Sequence, residues 1–549
     1  MHKLEEELRR HLSSGLKRSA IKSCSSWACS YRVMGQPYPG KFTFNHHPWA
    51  KEMHDCKSEM MVGMKAAQMA FTETALDIAL YKIDMLGISV LYILPASIPD
   101  ARDFSTSRFD TALENSPYLK DMFSDTKNIH HKRAGNANLY IRGSRSRSQL
   151  KSIPVGLVIL DEVDEMMQDN IPLASERMSG QVNKQEFRLS TPTIEKFGIH
   201  SSFRETTQEE YFFKCPHCSK LSLLIFPECL VITADELTDP KIRQSYLRCK
   251  ECGHRLEHET KNEWLGWKNS SWVPKHPDRL ARGFHISQLY SMTEHPWKIA
   301  SNYLRALTSP ADEQEFYNSK LGITHTVKGA KLGDDELAAC TGEYQTHTTS
   351  PKDGIITLGV DVGRWLHYEI DHYLIDKSGI PDINLITRCR ILKTGKLEHF
   401  EELDALIRQF GVMYCVIDAH PEKRKAYEFA ERFYGYASIC YYGNNIKSKQ
   451  ISEDTMNHSV TVDRTSWLDV SLGRFRNTRI TMPVDTSLEY KEQVKAPTRI
   501  YLKDADGNPI SRYVTGSEPD HFAHARNYAE IALPLAAKLM GNQDLYGIL

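Results

Sequence analysis

The chain has no apolar run long enough to cross a membrane. Its start, Met1-His-Lys-Leu-Glu-Glu-Glu-Leu-Arg-Arg, has no secretory apolar core. Both absences lead to the expectation of a cytosolic protein. Charge of one sign is also lacking, because 69 Lys and Arg against 70 Asp and Glu leave a net −1. Any nucleic-acid binding must then use local basic patches rather than a global field. There is no internal repeat, and no G-x-x-x-x-G-K-[ST] phosphate loop. Cysteine is sparse, and four of the 12 residues fall in two C-x-x-C pairs. In a reducing compartment that pattern favours metal over disulfides.

At 549 residues the chain is too long for one core, so two or three domains are expected; 41% hydrophobic and 25% charged residues describe an ordinary globular protein. The most informative stretch is Val155-Gly-Leu-Val-Ile-Leu-Asp161-Glu162. A continuous apolar run closed by two acids reads as a parallel strand buried on both faces. It delivers two carboxylates to the strand's C-terminal edge, where open α/β sheets bind ligands. In a nucleotide-triphosphate motor the first acid holds Mg²⁺ and the second polarises the attacking water.

Strand-like runs (Met60-Met-Val-Gly-Met, Val90-Leu-Tyr-Ile-Leu, Leu157-Val-Ile-Leu) alternate with helical segments from about 41 to 206, predicting a parallel α/β sheet. Residues 207–262 break the rhythm and carry the cysteine pairs. Gly283-Phe-His-Ile-Ser-Gln-Leu-Tyr resumes it and is expected to rejoin the first sheet. The domains expected are a docking segment (1–40), a motor (41–338), a linker (339–353), a second α/β domain (354–535) and a tail (536–549). If Asp161 and Glu162 serve a nucleotide, a phosphate loop must follow an earlier strand. The candidate is Lys65-Ala-Ala-Gln68-Met-Ala-Phe-Thr72-Glu73, between a strand and the helix beginning at Thr74. Small residues replace glycines, Lys65 stands at the loop's start, and Thr72 offers a hydroxyl to Mg²⁺.

This loop, Leu94-Pro-Ala and Val158-Ile-Leu-Asp-Glu162 together resemble the large subunit of a tailed-phage terminase, in its lambda-type branch. That group has a loop of the form K-x-A-Q-x-G-x-T-E, matched here except for Ala70 in place of glycine. The resemblance extends to Leu189-Ser190-Thr191-Pro192, which couples hydrolysis to movement in the family, and to Phe316-Tyr-Asn-Ser-Lys-Leu-Gly322. It implies an ATP-driven motor that moves double-stranded DNA into a procapsid and a nuclease that cuts concatemers. It further implies a ring on the portal protein, fed by a small terminase subunit, in the host bacterial cytoplasm. The N-terminal segment and the tail ending Asp544-Leu-Tyr-Gly-Ile-Leu549 are the expected docking sites.

Ahead of the acidic strand lies Tyr140-Ile-Arg142-Gly-Ser-Arg145-Ser-Arg147. Arg145 or Arg142 is a candidate finger reaching a neighbouring subunit's γ-phosphate; a DNA-contacting or solvated loop is the alternative. Cys215-Pro-His-Cys218 and Cys249-Lys-Glu-Cys252 have the spacing of a closed, structural, tetrahedral Zn²⁺ site in a zinc-ribbon-like insertion, with His217 or His254 as substitute ligands.

In the second domain Asp361 ends the strand Ile355-Ile-Thr-Leu-Gly-Val, and Asp418 ends Tyr414-Cys-Val-Ile. Two acids at neighbouring strand ends can bind divalent ions that activate water against a phosphodiester, as in a ribonuclease-H-like fold. Terminase nucleases often close with D-H-x-x-D-A-x-x-Y, and here Asp520-His521-Phe-Ala-His524-Ala-Arg-Asn-Tyr528 departs from it. The carboxylate has become His524, a ligand suited to Mn²⁺ or Zn²⁺ more than Mg²⁺, with Asp520 and His521 as further candidates. The reading is thus a P-loop-type ATPase followed by a ribonuclease-H-like nuclease. Its rivals are a helicase-like ATPase fused to a repair or transposition nuclease, and a zinc-bearing DNA-binding scaffold without hydrolysis.

Overall fold

The computed structural model describes residues 21–95, 103–123, 126–128, 131–151, 153–375, 386–443, 446, 449–503 and 508–541. It divides into two units, Met1–His325 and Thr326–Leu549. Among the described residues the first is built on an 11-stranded sheet whose mutually parallel strands are β1 (Met60–Lys65), β2 (Val90–Leu94), β3 (Ala137–Gly143), β4 (Leu157–Asp161), β5 (Gln185–Ser190), β6 (Glu209–Lys214) and β7 (Arg282–Ile286). Their spatial order is β6-β7-β1-β5-β4-β2-β3, and every neighbouring pair is parallel. Residues of β2 and β4 are buried throughout, as covered parallel strands require.

Two expected boundaries move. Residues 21–40, read as part of a docking segment, are built into the first unit through helix α1 (Cys24–Tyr31). Trp27 is buried there and donates to Asp84 at 2.8 Å, and Arg32 ion-pairs Asp77 and Glu73 on helix α2 (Phe71–Leu86). Residues 1–20 lie outside the described residues. The cysteine insertion starts later than residue 207, because β6 alternates inward-facing Tyr211 and Phe213 and pairs with β7. Beyond Lys214 comes a small sheet of Leu230–Val231, Tyr246–Arg248 and Arg255–Leu256.

The second unit carries β8 (Ile355–Val362), β9 (Leu366–Ile375), β10 (Thr387–Leu397), β11 (Tyr414–Asp418), β12 (Ala437–Tyr442) and β13 (Ser459–Val462). The order is β13-β12-β11-β8-β9-β10. Strands β8 to β10 form an antiparallel meander, and β11 and β12 add in parallel on the other side of β8. This is the ribonuclease-H-like order. The segment expected as a linker is anchored to this unit: Cys340 is buried in its core, and the Tyr344 hydroxyl donates to the Ile391 and Thr481 carbonyls at 2.8 Å. Its polar composition hid those two anchors.

Helix α3 (Arg464–Arg476), α4 (Leu488–Lys495) and the closing helix α5 (His521–Leu539) complete the unit. Helix α5 crosses β8 so closely that a Cβ at Gly359 would collide with the backbone of Ala525 and Ala529. Residues 542–549 of the expected tail lie outside the described residues. An ionic network locks the helix: Arg526 meets Glu369 and Asp371 of β9 and Glu530, while Arg474 of α3 also holds Glu530 at 2.7 Å. All five side chains are buried, three carboxylates face two guanidinium groups, and burial lifts Glu369 to about 7. Arg526→Ala strips one of the two cations, so it is expected to destabilise this unit by about 3–5 kcal/mol. Urea unfolding followed in the second unit checks this, and an unchanged midpoint would mean the network holds little. Among the described residues no helix is long and apolar enough to cross a membrane.

Candidate active sites

The first site gathers at the C-terminal edge of the parallel sheet. β1 ends at Lys65, and the chain turns through Gln68 and Ala70, both at positive φ (60° and 64°), before α2 starts at Phe71. An alanine in the left-handed region is strained by about 1–2 kcal/mol, which explains why glycine suits that position. The turn aims the N-terminus of a 16-residue helix at the acids of β4. Lys65 Nζ donates to Glu162 Oε1 at 2.8 Å, and Thr72 Oγ1 lies 3.4 Å from Asp161 Oδ1. Gln68 is exposed on the loop. Burial, then repulsion from Glu162, raises Asp161 to about 6 against the opposing pull of Lys65. A buried carboxylate held that high gains from a cation beside it.

Glu162 itself has positive φ (64°) and is turned toward β5. Its Oε2 accepts from Ser190 Oγ at 3.3 Å and from the Thr191 N–H at 3.4 Å, so the acid and the Ser190-Thr191-Pro192 segment are joined directly. Arg142 is the penultimate residue of β3 and Arg145 lies just beyond its end, and Gly143 of that strand pairs with Leu94 two strands from Asp161, roughly 10 Å away laterally. Arg142 is half-buried and donates to the Ile141 carbonyl at 2.9 Å. Arg145 is exposed.

The four cysteine sulfurs converge, with Sγ atoms of Cys215, Cys218, Cys249 and Cys252 all within 4.8 Å of one another. Cys215 and Cys252 stand 3.9 Å apart, close to the edge of a tetrahedron with ~2.3 Å metal–sulfur bonds. Each pair sits in a tight turn closed by a positive-φ residue, Ser219 or Gly253. His217 and His254 stack on each other at 4.9 Å and are not in the cluster.

In the second unit, β8 and β11 are adjacent and parallel, with Val360 opposite Ile417, so Asp361 and Asp418 emerge side by side. Burial, and then the nearby Asp361 charge, lifts Asp418 to about 6. His521 Nδ1 lies 2.8 Å from Asp361 Oδ2, and His367 of β9 stacks on the His521 ring at 4.6 Å. Asp361, His367 and His521 form a second compact cluster of ligand atoms. His524, expected to complete the metal site, is placed otherwise. Its Nδ1 meets the Tyr442 hydroxyl at 3.0 Å and its Nε2 the Arg464 guanidinium at 3.1 Å. Both ring nitrogens are engaged, and a fixed cation at one of them opposes a metal ion there. Asp520 accepts from Thr515 Oγ1 at 2.6 Å and faces His524 and Arg464.

Residues 36–272 match the model of the phage terminase large subunit gpA ATPase domain, and residues 281–533 that of the terminase large subunit gpA endonuclease domain. The chain belongs to the phage terminase large subunits. No curated protein matches it. The crystal structure of the HK97 bacteriophage large terminase aligns over 93% of this chain and 99% of that one, at 11% identity and a TM-score of 0.52, which supports the fold. The ATPase domain of Thermus phage P74-26 large terminase aligns over 50% of this chain and 92% of its own (14% identity, TM-score 0.31). The large terminase of the thermophilic bacteriophage D6E aligns over 86% and 93% (10%, 0.29). This terminase subunit therefore combines an ATPase with an endonuclease, acts on DNA with the packaging machinery, and uses a nucleotide and divalent metal ions.

Several groups around the terminase sites escaped the sequence reading. Tyr92 of β2 donates to Asp161 Oδ2 at 2.6 Å. Asp164, the third acid of Asp161-Glu-Val-Asp164, receives the Ile199 N–H at 2.7 Å, and its own N–H donates to Ser190 Oγ at 3.2 Å. Its position three residues after Asp161 was the available signal. The segment Phe316–Gly322 braces the phosphate loop, since the Ser319 carbonyl accepts the Ala67 N–H at 2.8 Å. A Cβ at Gly322 (φ +67°) would strike the Ala66 backbone. Asn318 in the same segment donates to the Thr193 carbonyl at 2.9 Å, so one short turn touches both the loop and the segment just after Pro192.

Proposed function

We propose that this subunit is the two-engine motor of genome packaging, its ATPase pumping double-stranded DNA into a procapsid and its nuclease cutting concatemers. The observation that carries the reading is a pair of buried strand-end carboxylate sites in separate units, the first facing Lys65 and Thr72. In the ATPase, Lys65 holds the triphosphate, Gln68 and the loop amides line it, and Asp161 with Thr72 holds magnesium. Glu162 orients the attacking water, and Ser190, Thr191 and Pro192 pass its state to the rest of the motor. In the nuclease, Asp361, Asp418 and His521 hold the metal. A divalent ion bound there supplies Lewis acidity toward water and phosphate. The nitrogen donor suits Mn²⁺ at least as well as Mg²⁺.

Assembly as a homo-oligomeric ring on the portal protein, delivery by a small terminase subunit and action in the host bacterial cytoplasm complete the proposal. Packaging by purified protein that requires both procapsid and small subunit tests it. DNA unwinding without them would favour the helicase-like alternative. Exposed Arg145 is the finger of this scheme. Arg145→Ala is expected to leave ATP binding near wild type and to lower only DNA-stimulated turnover. Mixing it with Glu162→Gln chains should restore part of that turnover, because each supplies what its neighbour lacks. If neither the variant nor the mixture changes hydrolysis, the basic loop belongs to DNA or solvent.

The cysteine cluster is proposed to bind one structural Zn²⁺ per chain, supported by the convergence of four sulfurs. Cys215→Ser or Cys252→Ser is expected to lose that metal and to unfold the insertion, because thiolate–zinc bonding supplies folding energy directly. Elemental analysis of protein purified under reducing conditions decides it, and metal-free, fully folded wild type would count against the assignment.

A further inference from the structure

The two aspartates of the nuclease have unlike flanks. Asp361 faces nitrogen donors, His521 at 2.8 Å with His367 stacked behind it. Asp418 faces a polar chain that ends in a cation. Tyr528 hydrogen-bonds Asp418 and Tyr442, Tyr442 meets His524 Nδ1 at 3.0 Å, and His524 Nε2 meets Arg464 Nη2 at 3.1 Å. His524 Nε2 lies between the Arg464 guanidinium at 3.1 Å and Asp520 Oδ2 at 3.3 Å, so both ring nitrogens have protein partners. Neither nitrogen of His524 is open to a metal ion in this arrangement, and a fixed cation stands beside one of them. The neighbouring carboxylate, Asp520, lies 3.7 Å from the same guanidinium. Arg464 is held by position as well: it is the first residue of the 13-residue helix α3, whose N-cap Asp463 accepts the Ser466 N–H at 2.7 Å. Its side chain is still 38% exposed, open enough to meet a substrate.

We propose that this nuclease holds one divalent ion per site, on the Asp361 side, and that Arg464 occupies the place of a second ion as a catalytic residue. The inference rests on Asp361 and Asp418 being the nuclease acids. Its substrate contact is a phosphate oxygen of the scissile DNA strand, which a planar guanidinium engages with two parallel N–H donors. In the hydrolysis, the water oxygen bonds to phosphorus as the ester P–O bond breaks. The attacking water gives up one proton to solvent, the departing oxygen takes one from it, and Arg464 stabilises the charge that builds on the phosphate oxygens. A permanent guanidinium does this without being lost at low metal concentration, and it repels a second divalent ion from the same place.

The test counts Mn²⁺ bound to the full-length chain, without nucleotide, by electron paramagnetic resonance. Ions at other sites cancel when wild type is compared with Asp418→Ala. The expected difference is one Mn²⁺. Arg464→Ala is expected to leave the count unchanged and to slow plasmid cleavage about 10²–10³-fold, the size seen when a preorganised donor is lost from a transition state. Arg464→Lys should recover part of the rate. The pair Arg464→Ala with His524→Asp should bind one Mn²⁺ more than wild type, because the cation is gone and a carboxylate has taken the imidazole's place. A wild-type difference of two ions, a fully active Arg464→Ala chain, or a lower Mn²⁺ count in that variant would overturn the proposal. Failure of the underlying site assignment looks different: Asp361→Ala and Asp418→Ala would then both keep wild-type Mn²⁺ counts and cleavage.

Discussion

Lys65→Ala and Glu162→Gln are each expected to abolish ATP turnover while leaving the fold intact. Lys65 supplies the positive charge at the start of the phosphate loop, and no other Lys or Arg pairs with Glu162 among the described residues. Its side chain is buried to 6% exposure beside Glu162, so an alanine there removes the cation that the loop sets next to the acids. Glu162→Gln keeps the shape of the side chain and its contacts with Ser190 and Thr191, but not the negative charge that polarises water. Loss of such a group lowers turnover about 10²–10⁴-fold. The two variants should differ in binding. Glu162→Gln retains Asp161 and Thr72 for the ion and should still bind ATP, whereas Lys65→Ala should bind it weakly. A fluorescent-nucleotide titration beside a DNA-stimulated hydrolysis assay separates them. Wild-type turnover in Lys65→Ala would place the phosphate loop elsewhere in the chain.

What was legible in the sequence was whatever a single strand end declares. Asp161 and Asp418 each close an uninterrupted apolar run and Asp361 one broken only by Thr357, and a run of that kind has few fates other than a buried strand. The strand–loop–helix at Lys65 could be read for the same reason, and so could the convergence of two C-x-x-C pairs. What stayed hidden depends on pairs far apart in the chain. Asn318 reaches Thr193, and Ser319 reaches Ala67, through contacts that no local pattern encodes. Ala70 tolerates φ of 64° because the turn into α2 demands it, where propensity alone argues against it. The His521, His524 and Tyr528 face was legible from helical spacing. Which of the two histidines meets Asp361 was not, because Arg464 comes from a different helix and engages His524. The linker misread has a similar origin, since Tyr344 finds its acceptors on strands more than forty residues away.

Asp361→Ala and Asp418→Ala are expected to eliminate DNA cleavage without lowering ATPase activity. The two chemistries use separate acids in separate units. Truncating Asp361 removes the carboxylate that pairs with His521, and truncating Asp418 removes the one beside it on β11, so either change dismantles the metal site. Asp418 also predicts a pH dependence. Burial and the neighbouring Asp361 raise its pKa from the ordinary carboxylate range to about 6, so it is protonated below that pH and ionised above it. Only the ionised form holds a divalent ion. Cleavage at limiting Mn²⁺ should therefore fall as pH drops through about 6. Because the ion competes with the proton, saturating Mn²⁺ should move that fall to lower pH. Cleavage of plasmid DNA by the full-length chain, followed from pH 5 to 8 at two metal concentrations with ATPase assayed alongside, measures all of this. An Asp418→Ala chain that still cuts would remove Asp418 from the site, and ATPase activity lost in parallel would instead report a misfolded protein.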